Sequence, residues 1–213
     1  GTRLIFYRGD RVDDIERTAG LAQLHIGGRL ADGVHCLIAS AIQLYGPGDI
    51  HAALDRMAGE ITAELAGTLP VVICVLTGGI IPAGHILTRL AFPLEIDYLH
   101  ATRYRGNTRG EQDVEWACES RIPLEGRTVL VIDDILDEGN TLQTVTDYCH
   151  RSGASRVCTA VLIEKHHDRR LPGVSADVVG LGVEDRYVFG FGMDYKGYLR
   201  NLNGIYALGP EQA

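Results

Sequence analysis

Long apolar runs are missing from this chain. The longest, such as VVICVL at 71–76, fall far short of the ~20 residues a membrane-spanning helix needs. Cysteine is sparse and odd in number: Cys36, Cys74, Cys118, Cys149 and Cys158, with no C-x-x-C pair. That argues against a disulfide framework and for a reducing compartment. Positive charge is in deficit, with 20 basic against 28 acidic residues and a net charge of −8. A broad nucleic-acid surface is not expected on that balance. An anionic ligand remains open, because clustered backbone N–H groups or a metal ion outweigh the global sign locally. The stretch GTRLIFYRGDRVDD lacks the basic start and apolar block of a signal peptide, so a cytoplasmic location is expected. No internal repeat or low-complexity segment is present. What remains is a globular composition, 46% hydrophobic and 23% charged, over 213 residues. That length suits one α/β domain with some elaboration.

Residues 1–46 give weak signals: LIFY reads as a short strand and GLAQLHIGG as a helix turn. From Gly48 the pattern sharpens. Ile50, Ala53, Leu54, Met57, Ile61 and Leu65 recur at helical spacing, and Gly67 and Pro70 follow as stop signals. VVICVL is a β-branched apolar run, hence a buried strand, and it breaks at Thr77-Gly78-Gly79. A helix is expected through AGHILTRLA and a strand in LEIDYLHATRY, where Leu94, Ile96 and Tyr98 alternate. RGNTRGEQD reads as a polar loop, RTVLVI as a buried strand and TLQTVTDYCHRSG as a helix ending at Gly153. RVCTAVLI, ADVVGLGV, YVFGF and GIYAL read as further strands. This alternation predicts an α/β fold, a mostly parallel twisted sheet with helices on both faces.

VLVIDDILDEGNTL, residues 129–142, sets carboxylates directly after a buried strand. The D-D-x-x-D spacing of Asp133, Asp134 and Asp137 invites a magnesium–diphosphate clamp of the prenyl-transferring kind. That clamp needs a helix, whereas a strand precedes the acids and Gly139 follows them. An acidic phospho-receiver pocket would follow the first strand of its domain, and here the acids come after at least two strands. The third reading ends the strand at Asp133 and runs DILDEGNT as a loop into a helix near Thr141. Ligands of open parallel sheets sit at the carboxyl ends of strands, and a helix N-terminus suits a phosphate.

This stretch resembles the phosphoribosyl-pyrophosphate signature of the type I phosphoribosyltransferases. VLTGGIIPAGHIL resembles the pyrophosphate loop of the hypoxanthine-guanine (6-oxopurine) branch, and EDRYVFGFGMDY its purine-closing segment. The resemblance runs from about residue 50 to 208 and implies that family's fold, with a small hood region. Residues 1–46 would then be an extension and part of the hood. Residues 47–213 would be the catalytic domain, with a flexible loop near 103–114 and the purine-closing segment near 183–204.

The resemblance implies roles residue by residue. Asp137 is the catalytic base toward purine N7. Asp133 and Asp134 lie on the ribose side and, with Asp194, hold Mg2+. Glu138, Gly139, Asn140 and Thr141 cradle the 5′-phosphate. The pyrophosphate loop is Thr77, Gly78 and Gly79, with Arg200 as a further pyrophosphate ligand. Ile135 packs under the purine, Lys165 donates to its 6-oxo group, Tyr187 stacks on it and Val188 offers backbone to its edge. Arg103 and Tyr104 belong to the flexible loop, with Arg105 and Arg109 close by. The chain departs from the family where Thr77 replaces a Lys, and where Glu138 and Asn140 replace the commoner Thr and Lys. A Glu beside a phosphate is repulsive, so Glu138 is expected to point away. HHD at 166–168 reads as a solvated turn, because adjacent histidines on extended backbone point in opposite directions.

The implied reaction joins phosphoribosyl pyrophosphate to hypoxanthine or guanine, giving IMP or GMP and pyrophosphate. Alternatives are a xanthine-preferring enzyme, or a regulator that senses phosphoribosyl pyrophosphate on the same fold. Adenine suits the site less well, since Lys165 and its 6-amino group both donate. The expected partners are these small molecules and other copies of the chain, as homodimer or homotetramer, with neither nucleic acid nor membrane.

Overall fold

The computed structural model describes residues 41–103 and 114–208; at 101–103 and 114–117 it describes the backbone only. The expected LIFY strand and GLAQLHIGG turn lie outside the described residues. So do Tyr104, Arg105 and Arg109, and the side chains of Arg103 and Trp116.

The chain enters through β1 (Ile42–Tyr45) and α1 (Pro47–Leu65). Pro47 sets the first helical φ, and Asp49 Oδ2 accepts the Gly46 N–H at 2.9 Å. Ile50, Ala53, Leu54, Met57, Ala58, Ile61 and Leu65 form the buried stripe that the spacing predicts. The order continues with β2 (Val71–Leu76), α2 (Ile80–Leu87), β3 (Glu95–Arg103), β4 (Val114–Cys118) and β5 (Thr128–Leu136). Then come α3 (Asn140–Arg151), β6 (Arg156–His166), β7 (Val178–Glu184), β8 (Val188–Phe189) and β9 (Ile205–Ala207).

The large sheet has the order β4-β3-β2-β5-β6-β7, parallel throughout except for the edge strand β4. Strand alternation gives it two cores. Val72, Cys74, Leu130, Ile132, Ala160 and Leu162 pack with α1 and α2. Val71, Ile73, Val129, Val131 and Val161 pack with Leu142, Val145 and Cys149 of α3. Strands β1, β9 and β8 make a small antiparallel sheet, the hood. The expected α/β fold is therefore present. Among the described residues no helix is long and apolar enough to cross a membrane, and Cys74, Cys118, Cys149 and Cys158 are free thiols.

Strands β2 and β5 are neighbours, yet the chain leaves β2 toward β3 on one side and β5 toward β6 on the other. Their carboxyl ends therefore flank a topological switch point, where such sheets bind ligands.

Two local expectations need correction, and the expected strand β3 is present with an unforeseen facing. Strand β5 does not end at Asp133; it continues to Leu136, because Asp133, Ile135 and Leu136 keep their pairing with Val161, Ile163 and Glu164 of β6. Only Asp137, Glu138 and Gly139 remain as the turn, and α3 begins at Asn140. The AGHILTRLA helix starts earlier, at Ile80, directly on the Gly78-Gly79 turn, and ends at Leu87. In β3 the apolar alternation faces outward: Ile96 and Tyr98 are exposed, while Asp97 and Leu99 are buried. Asp97 Oδ2 repays its burial by accepting the N–H groups of Arg121 (2.6 Å) and Ile122 (3.0 Å) and the Ser120 hydroxyl (2.9 Å).

Candidate functional site

The end of β2 and the end of β5 meet at two glycines. Any side chain at Gly78 would collide with the Asp134 carboxylate. At Gly79 a Cβ would lie 2.6 Å from the Val75 carbonyl oxygen and 2.7 Å from that of Ile132. Gly79 also donates its N–H to the Val75 carbonyl at 2.9 Å. The Leu76–Thr77 peptide bond is cis, and the Thr77 side chain is exposed.

Asp133 and Asp134 are buried, and the Asp134 N–H donates to Asp133 Oδ1 at 2.9 Å. Burial, and then the charge of Asp134, pushes the Asp133 carboxyl well above the ordinary carboxylate range. Burial also raises Asp134, against its hydrogen bond with Asp133 and the pull of Arg200. Beneath them the Cys74 thiol is pushed up to about 12 by burial and by both aspartates, so it is inert.

The β5–α3 turn presents backbone. Gly139 caps α3 with φ +94, a left-handed conformation that favours glycine. No side chain caps this helix, so its first N–H groups are available to an anion. The Glu138 carboxylate accepts from Asn140 Nδ2 at 3.1 Å and lies 3.9 Å from Arg169 Nε.

Asp137 is held from two sides. Lys165 Nζ donates to its Oδ2 at 2.7 Å, and His167 Nε2 lies 2.6 Å from its Oδ1. Burial alone would raise the Asp137 carboxyl, but these two partners outweigh it and hold it below its ordinary value. The exposure expected of a solvated HHD turn is present at His166 and Asp168, but not at His167. His166 is exposed, but the His167 side chain is only 3% exposed, against Asp137. His167 follows β6 in a bend, and its contact with Asp137 depends on the β5–β6 pairing, so no local pattern signals it.

Across the cleft, Arg200 donates from Nη2 to Asp194 Oδ1 (2.7 Å) and from Nη1 to the Gly192 carbonyl (2.6 Å); Nη1 also lies 3.8 Å from Asp134 Oδ2. Asp194 Oδ2 accepts the Gly197 N–H at 2.6 Å. The Tyr187 hydroxyl donates to the Asp194 carbonyl at 3.1 Å, and its exposed ring meets Tyr195 edge-on at 5.7 Å.

Together these elements enclose a cleft of about 440 Å³, within the range of small-ligand sites. Thr77, Gly78, Asp133, Asp134, Ile135, Asp137, Glu138, Gly139, Asn140, Thr141, Asp194 and Arg200 line it. Gly79 lies behind the wall, and Lys165 is joined to the site through Asp137. Tyr187 and Val188 belong to the hood side: Val188 is buried in β8, paired with Ala207.

Comparison with known proteins agrees with this arrangement. A family model for the phosphoribosyl transferase domain matches residues 43–196. The chain belongs to the phosphoribosyl transferase family. A hypoxanthine-guanine-xanthine phosphoribosyltransferase of Tritrichomonas foetus is 36% identical over 161 residues, 75% of this chain and 86% of the relative. A hypoxanthine-guanine phosphoribosyltransferase of Streptococcus agalactiae is 31% identical over 168 residues, 79% of this chain and 93% of the relative. Among solved structures, a hypoxanthine phosphoribosyltransferase of Staphylococcus aureus superposes with a TM-score of 0.76 at 27% identity, over 82% of this chain and 95% of that one.

In this phosphoribosyl transferase domain the donor set suits a hard cation. The carboxylates of Asp133 and Asp134 are crowded and resist ionisation together, and a divalent ion beside them would relieve both. Among the described residues no three acidic, His or Cys side chains gather closely enough to hold a metal unaided. Magnesium usually takes one or two protein carboxylates with waters and substrate phosphates, so the residues fit an ion that arrives with a diphosphate.

Proposed function

We propose that the protein transfers the 5-phosphoribosyl group of phosphoribosyl pyrophosphate to N9 of hypoxanthine or guanine, giving IMP or GMP and pyrophosphate. One observation carries this reading: Lys165 Nζ lies 2.7 Å from Asp137 Oδ2, on the turn that also opens the N-terminus of α3. A donor for a 6-oxo group, from the end of β6, thus meets a carboxylate base and a phosphate cradle on the β5–α3 connection.

The 5′-phosphate binds the N–H groups of residues 138–141, with the Thr141 hydroxyl adding a donor. The pyrophosphate lies against the backbone of Thr77, Gly78 and Gly79 and is met by Arg200. Asp133 and Asp134 take the ribose hydroxyls. Asp133, Asp134 and Asp194 would hold a magnesium ion arriving with the diphosphate, and bound there it would neutralise charge on the leaving group. Lys165 has three N–H donors; Asp137 takes one, and another faces the 6-oxo group of the base. The purine lies between Ile135 and the Tyr187 ring, with Val188 backbone at its edge. As N9 bonds to the sugar, the N7 proton becomes acidic and passes to Asp137. A carboxylate with a lowered pKa suffices there and stays ionised at neutral pH. The sugar passes through an oxocarbenium-like state, so geometry and charge stabilisation do most of the catalysis.

Asp137→Asn tests the assignment. Turnover should fall by orders of magnitude while binding of phosphoribosyl pyrophosphate, followed by calorimetry, stays close to wild type. Near wild-type turnover would remove Asp137 from the chemistry. A second reading, the same reaction on xanthine, is favoured by the name of the Tritrichomonas relative.

A further inference from the structure

We propose that His167 is a positioning residue for Asp137, holding the carboxylate toward the purine through one fixed tautomer. The proposal rests on Asp137 being the base. The tautomer follows from the backbone. The Arg169 N–H donates to His167 Nδ1 at 3.0 Å, so Nδ1 carries no proton. The ring proton is therefore on Nε2, and Nε2–H donates to Asp137 Oδ1 at 2.6 Å. With Lys165 on Oδ2, each carboxylate oxygen has its own donor and the plane of the group is fixed.

The imidazole is itself locked. Its side chain is 3% exposed, whereas that of Asp137 is 41% exposed and faces the cleft. Arg169 is clasped by Asp185, at 2.6 and 2.9 Å, and Arg170 Nη2 donates to the Lys165 carbonyl at 2.6 Å. Those contacts tie down the loop that supplies the Arg169 N–H. The arrangement is the serine-protease relationship reversed: there a carboxylate orients a histidine, and here a histidine orients a carboxylate.

The effect is separable from that of Lys165. Lys165 supplies a cation and a donor to one carboxylate oxygen, while His167 supplies a single N–H to the other and with it the direction of the group. The charged and titratable groups around Asp137 are Lys165 and His167 at the exit of β6, Arg169 and Asp185 beyond them, and Glu138 on its own turn. Arg200 and Asp194 face Asp134 across the cleft.

The test compares His167→Phe, which fills the site without an N–H, with His167→Gln, which keeps a donor at the same reach. Thermal unfolding of each variant confirms folding. For His167→Phe, kcat should fall about tenfold, with the KM for phosphoribosyl pyrophosphate within about twofold. Removing a donor raises the pKa of the base. The acid limb of kcat/KM for the purine should therefore move up by roughly half to one pH unit. His167→Gln should restore most of both. Wild-type kcat and an unmoved acid limb in His167→Phe would overturn the proposal. So would a loss that His167→Gln shares in full, which would mark a purely structural role. Asp137→Asn measured alongside separates the two claims. If it is inactive while His167→Phe is normal, only the positioning role fails; if it is active, the base assignment fails.

Discussion

In the proposed reaction Lys165 and Gly78 serve opposite ends of the substrate pair, and each can be probed with one substitution. Lys165 is nine-tenths buried, and its ammonium is committed to Asp137. Lys165→Ala frees the Asp137 carboxylate from its cation and, in the proposed reaction, removes the 6-oxo donor. It should lower kcat/KM for hypoxanthine and guanine by roughly 10²-fold, the cost of about one charged hydrogen bond in a desolvated site. Unchanged preference across a panel of purines would take Lys165 out of the base site. Gly78 admits no Cβ beside Asp134. Gly78→Ala should force the turn and the carboxylate apart and raise the KM for phosphoribosyl pyrophosphate by tenfold or more, with far-UV circular dichroism unchanged. An unaltered KM would show that the turn has room to yield. The place of Asp133, Asp134 and Asp137 in and after β5 was legible in the sequence because a β-branched run marks the strand that leads to them, although that strand runs on to Leu136. His167 was not, because its role depends on a carboxylate that the β5–β6 pairing brings beside it.

Among the elements, β2 and β3 show where sequence patterns succeed and fail. VVICVL is buried on both faces, and its β-branched run marks the strand to the residue. In β3 the outward Ile96 and Tyr98 mislead, because the inward Asp97 is stabilised by a loop more than twenty residues away. No local pattern encodes that partner. Burial alone would raise the Asp97 carboxyl, but the N–H groups of Ile122, Tyr98 and Arg121 and the Ser120 hydroxyl outweigh it and lower it. Its folded pKa is therefore below the unfolded one. The stability it adds is complete above about pH 4 and is lost as pH falls through the lowered folded value. Asp97→Asn should cost about 1–3 kcal/mol in urea unfolding at pH 7, and less at pH 3. An equal cost at both pH values would contradict the charged reading of this contact. The overrun of β5 past Asp133 has a similar origin: backbone pairing with β6 continues after the apolar pattern stops.

At the scale of the molecule, a parallel sheet with a switch point between β2 and β5 gathers backbone donors, acids and cations at one edge. The net charge of −8 would disfavour an anionic substrate, yet the cleft offers the helix terminus of α3, the Thr77–Gly78 backbone and Arg200. Local groups override the global balance. The measurement that bears most directly on this account is the ultraviolet absorbance change with phosphoribosyl pyrophosphate, magnesium and each of hypoxanthine, guanine, xanthine and adenine in turn. The account predicts nucleotide and pyrophosphate from hypoxanthine or guanine, and little or none from adenine. Product from adenine alone, or from none of the four bases, would contradict it.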